Sequence, residues 1–74
     1  MTREAGTMRE RIYKALVSHY TAEQEVALVK IDALLRGDVV PGHTALTEDI
    51  DKLLGKAAHA AEKVALLRKH YGLN

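Results

Sequence analysis

The sequence predicts an all-α fold, an antiparallel helical hairpin that pairs with a second copy of itself into a four-helix bundle. Three observations predict it. Apolar residues make up 47% of the 74-residue chain, with alanine and leucine abundant and Phe, Trp and Cys absent, which is the composition of helices around a thin aliphatic core. Two long segments space their apolar residues alternately by three and four, the helical period. Between them lies a cluster of helix breakers, Gly37-Asp38-Val39-Val40-Pro41-Gly42-His43.

The first helix is expected over residues 8–36. Thr7-Met8-Arg9-Glu10 has the form of a capping box, in which the Thr7 hydroxyl accepts from the Glu10 amide while the Glu10 carboxylate reaches back. Residues 1–6 then form a loose N-terminal tail, and residues 7–74 a single domain. The a and d positions of a heptad read Met8, Ile12, Ala15, His19, Ala22, Val26, Val29 and Ala33, flanked by Leu16, Tyr20, Ala27, Ile31 and Leu34. Thr21 and Gln24 offer a second capping box, but the heptad runs through them unbroken, so one continuous helix is expected. Arg36 suits the negative end of the helix dipole, and Gly37 supplies a left-handed stop. Arg36-Gly37-Asp38 is read as that stop followed by a turn.

Pro41 bars Val40 from helical geometry, and Pro-Gly is a strong turn signal. The second helix is expected over residues 47–71, or from Thr44 with a short first turn, with Glu48, Asp49 and Asp51 suited to its positive N-terminus. Its a and d positions are Ile50, Leu53, Ala57, Ala60, Val64, Leu67 and Tyr71, with Leu54 and Ala61 widening the stripe, and Gly72 ends it. A connection of about ten residues lets the helices fold back on each other. Alanines on both seams let backbones approach closely. The layer they make is thin for so short a chain, so a second hairpin is expected to complete the core. Gly55, at an outward position, is read as a tolerated surface glycine.

Composition also narrows function. No cysteine means no disulfide, thiolate metal site or thiol nucleophile, and is compatible with a cytoplasmic setting. No apolar run approaches the roughly 20 residues of a membrane span. The four histidines, His19, His43, His59 and His70, contain no i,i+4 pair and no H-E-x-x-H pattern, so neither a metal nor any other cofactor is expected. His59 is read as a surface residue and His19 as a half-buried, hydrogen-bonded one on the seam. Ser18 beside His19 is no nucleophile–base pair, because neighbours on a helix point about 100° apart. No catalytic residues and no small-molecule substrate are expected.

The charge of +1 is unevenly spread. An antiparallel hairpin gathers Arg9, Arg11, Lys14, Lys63, Arg68 and Lys69 towards the end where the chain termini meet, and acidic residues towards the loop. A nucleic-acid binder ordinarily has a pI above about 9, and here the sequence pI is about 8.1. The expected function is therefore a small non-catalytic protein–protein interaction module, an adaptor, inhibitor or regulator. Its partners are itself and another protein, with the apolar loop residues Val39, Val40, Pro41, His43 and Leu46 as the contact surface, the other reading being that Val39, Val40, Pro41 and Leu46 fold down to cap the bundle. The alternative is an accessory nucleic-acid-binding factor that uses the basic end.

Overall fold

The computed structural model describes residues 6–37 and 46–72. The chain folds into two α-helices, α1 (Met8–Arg36) and α2 (Leu46–Tyr71), packed against each other as an antiparallel hairpin. No strand occurs among the described residues. The molecule is elongated, 54 × 25 × 17 Å, with a radius of gyration of 16.6 Å, against about 11 Å for a compact chain of this length.

Local chemistry sets the ends of α1. The Glu10 amide donates to the Thr7 hydroxyl at 3.1 Å, and the Thr7 amide donates to the Glu10 carboxylate at 3.0 Å. Both halves of the capping box are thus made, leaving two fewer helix-end donors unsatisfied. Gly37 closes the helix with φ 79°, and its amide donates to the carbonyls of Ala33 and Leu34; this left-handed geometry is costly for a residue with a Cβ. The helix runs unbroken through Ser18–Thr21, so the possible second cap at Thr21 is not used. Thr7→Ala is expected to destabilise the fold by about 1 kcal/mol, read as a lower melting midpoint by circular dichroism.

The helix α2 starts at Leu46, one residue before the expected Thr47, with Glu48 and Asp49 in its first turn and Arg68, Lys69 and His70 in its last. Gly55 lies within it, and a Cβ there would meet nothing within 4 Å. Neither a kink nor a close approach requires this glycine. Gly55→Ala is expected to stabilise the protein by about 0.5–1 kcal/mol, read as a higher midpoint in the same measurement.

Among the described residues the hairpin core comprises Ala27, Ile31, Ala57, Ala60 and Val64, and no large side chain is fully buried. On α2, half-buried Ile50, Leu53 and Leu67 extend the line of Ala57, Ala60 and Val64. Tyr71 at its end is more than half exposed, because α1 begins at that level and covers little of the last turn. Leu54 is likewise 50% exposed and lies outside the seam.

On α1 the hairpin contact differs from the expected register. Met8, Ile12, Val26 and Val29 are 51–66% exposed, and Ala15, His19 and Ala22 are exposed as well. The covered line is instead Tyr13, Leu16, Val17, Tyr20, Gln24, Ala27, Ile31 and Leu34, most of whose large members flank the expected seam. The physical reason is apolar area. Along its whole length the covered stripe carries Leu16, Val17, Tyr20, Ile31 and Leu34, whereas the expected one is interrupted by His19 and the small Ala15 and Ala22, and burial stabilises in proportion to apolar area. Buried alanines from both helices, Ala27, Ala57 and Ala60, hold the centre, with Ile31 of α1 and Val64 of α2 beside them.

His19 consequently leaves the core. Its side chain is 61% exposed, with Nε2 3.7 Å from a Glu23 carboxylate oxygen one turn on. No helix among the described residues is long and apolar enough to cross a membrane.

Candidate interaction surfaces

Three surfaces surround the seam. The first is a cleft along one side of the hairpin, about 440 Å³ in volume. From α1 it takes His19, Ala22, Glu23, Val26, Ala27 and Lys30, and from α2 Leu53, Lys56, His59 and Lys63. Three lysines face one glutamate across a partly apolar floor, with the two imidazoles beside them. The Lys63 ammonium stands over the Tyr20 ring, 4.9 Å from its centroid, a cation–π contact that holds the lysine along the helix boundary. His59, expected to be an isolated surface residue, is exposed and shares this cleft with His19. Sequence spacing could not pair them, because they lie on different helices. Among the described residues no group of three or more histidine, aspartate or glutamate side chains could hold a metal ion.

The second surface is the end where α1 starts and α2 finishes. The Arg9 guanidinium lies 6.0 Å from the Tyr71 ring centroid. A small apolar recess of about 200 Å³ opens there among Arg9, Ile12, Tyr13, Leu16, Leu67 and Tyr71. Arg68 and Lys69 line a neighbouring shallow cleft with Tyr13 and Gly72. The hairpin thus brings Arg9, Arg68 and Lys69 to one end. Arg11 and Lys14 are exposed on the same stretch of α1, whereas Lys63 belongs to the central cleft beside Tyr20.

The third surface is apolar and lies outside the seam. Beyond the α1 stripe of Met8, Ile12, Val26 and Val29, the exposed large side chains include Leu28, Leu35, Leu54 and Leu66. Of the loop residues expected to meet a partner, Val39, Val40, Pro41 and His43 lie outside the described residues. Leu46 is in the first turn of α2 and 39% exposed.

No family model, curated protein or solved structure matches this chain.

Proposed function

We propose that this protein is a non-catalytic, homodimeric interaction module. One observation carries the reading: among the described residues the hairpin buries five small or aliphatic side chains while leaving apolar residues exposed on more than one side of its seam. Exposed apolar area of this extent, arranged in lines, marks a surface that is covered in the working state. The second copy covers part of it. Another protein takes the α1 stripe of Met8, Ile12, Val26 and Val29, which adjoins the lysine-rimmed cleft through Val26, together with Leu46 and the residues 39–43 that precede it. An apolar line beside a cationic rim suits an amphipathic segment bearing acidic residues, with apolar contact giving affinity and the rim giving orientation and encounter rate. A cytoplasmic setting belongs to the same proposal.

Capture from the native cell tests it, comparing the wild-type chain with a Val26→Ser, Val29→Ser variant. Both side chains are more than half exposed, so helicity is expected to persist while the co-purifying protein is lost. Retention of the same partner by the variant contradicts the assignment.

The gathering of Arg9, Arg68 and Lys69 at one end supports a second reading, an accessory nucleic-acid-binding factor. Under it, retardation of DNA or RNA must weaken steeply with salt and be lost on Arg68→Glu with Lys69→Glu. The first reading expects no retardation at physiological salt.

A further inference from the structure

We propose that the second copy docks on the face opposite the lysine-rimmed cleft, with the two hairpins antiparallel and their loops at opposite ends of a four-helix bundle. This rests on the homodimer proposed above and assigns its surface and symmetry.

Helical geometry locates the face. Residues two positions apart on a helix are separated by about 160° around its axis. Leu28 precedes the cleft residue Lys30 by two positions, Leu54 precedes Lys56, and Ala61 precedes Lys63. All three therefore look away from the cleft, on the far side of the seam. The same periodicity adds Val17, Thr21 and Gln24 on α1 and Ala58 and Ala65 on α2. The result is two lines with the same spacing of four, three and four: Val17, Thr21, Gln24, Leu28 and Leu54, Ala58, Ala61, Ala65. None of the eight is charged, and all are exposed or half-buried.

A second copy is the occupant that fits these lines. With the two-fold axis perpendicular to the bundle, each line pairs with itself reversed, and both do so with matched chemistry. On α1, Val17 of one copy meets Leu28 of the other, and Thr21 meets Gln24, polar against polar. On α2, Leu54 meets Ala65, large against small, and Ala58 meets Ala61, where small side chains permit close approach. The midpoints fall between Ala22 and Glu23 on α1 and between His59 and Ala60 on α2. These points must lie at one level for a single axis to serve both helices. The hairpin register places them so, because Tyr20 lies beside Lys63, and three residues further along α1 and back along α2 bring Glu23 level with Ala60.

Charge at the rims selects the orientation. With loops at opposite ends, Lys14 of one copy faces Asp32 of the other, and Asp51 faces Lys69. With loops at the same end, Lys14 would face Lys69, and Asp32 would face Asp51. Asp32 also lies 3.6 Å from Arg36 within its own helix, an exposed pair that leaves it free to meet a second cation. The α1 stripe of Val26 and Val29 fits a second copy less well, because His19 interrupts it and the cleft charges Glu23 and Lys30 border it.

The chain contains no cysteine, so introduced thiols report contacts unambiguously. A mixture of full-length Leu54→Cys and Ala65→Cys chains is expected to form a disulfide-linked heterodimer on mild oxidation. Each variant alone is not, since two copies of residue 54 are separated by about 16 Å along the bundle. Ala61→Glu is expected to weaken self-association at least tenfold in sedimentation equilibrium, and Val26→Glu with Val29→Glu to leave it unchanged. A dimeric wild-type chain whose mixed thiols do not cross-link, or whose association survives Ala61→Glu but not the paired valine substitutions, overturns this arrangement while sparing the homodimer. A monomeric wild-type chain overturns both.

Discussion

Ile31→Ala is expected to cost about 2–4 kcal/mol and to leave much of the chain unfolded at ambient temperature. Ile31 is the largest of the five buried side chains and only 8% exposed. The atoms removed are part of the little apolar volume that joins α1 to α2, and a rigid pair of helices closes only partly over the space left behind. A small domain has only a few kcal/mol to lose, so the loss is expected to appear as reduced helicity before denaturant is added. Leu66→Ala supplies the control. Leu66 is 57% exposed, and its truncation is expected to change stability by no more than about 0.5 kcal/mol. Denaturant unfolding followed by circular dichroism measures both, and equal costs for the two variants contradict the assignment of the seam.

Ala57→Leu tests the opposite error, too much volume. Ala57 is buried in the seam, 7% exposed. A leucine there forces the helices apart or takes a strained rotamer, at a cost of about 1–3 kcal/mol. In the proposed dimer, separation of the helices would also disturb the level at which two hairpins meet, so the midpoint is expected to fall and the mid-point concentration for association to rise together. Unfolding at two protein concentrations separates these effects. A leucine accommodated without loss of stability means that the seam is looser than its alanines imply.

The helices were legible in the sequence because their signals are local. A capping box needs only Thr7 and Glu10 at the right spacing, and a left-handed stop needs only Gly37 after the last apolar residue. The α2 line of Ala57, Ala60 and Val64 was legible because the other faces of that helix carry its charges, apart from the lesser line of Leu54, Ala58, Ala61 and Ala65. The α1 seam was not, because α1 holds two apolar stripes, one through Val26 and Val29 and one through Tyr20, Ala27 and Ile31. Periodicity counts apolar positions and does not say which stripe a neighbour covers; that depends on the apolar area each stripe offers along its whole length. The misplacement of His19 follows from the same cause. The cleft that joins His19 and Lys30 to Lys56, His59 and Lys63 was invisible for a related reason, since its two halves come together only when the helices take their register. Its basic character was hidden further by the near-neutral charge of the whole chain, in which the acids of the α2 N-terminus balance these lysines. The loop residues Val39, Val40, Pro41 and His43 lie outside the described residues, and their proposed role rests on sequence alone.

The proposed homodimer makes one hairpin half of a folded unit. Sedimentation equilibrium of the untagged chain, combined with thermal unfolding over a hundredfold range of protein concentration, tests it most directly. Folding coupled to association makes the melting midpoint depend on concentration by mass action. The account predicts a species of twice the 8.2 kDa chain mass, with a midpoint that climbs steadily as concentration increases. A species of 8.2 kDa throughout, with a midpoint that does not move, would contradict it.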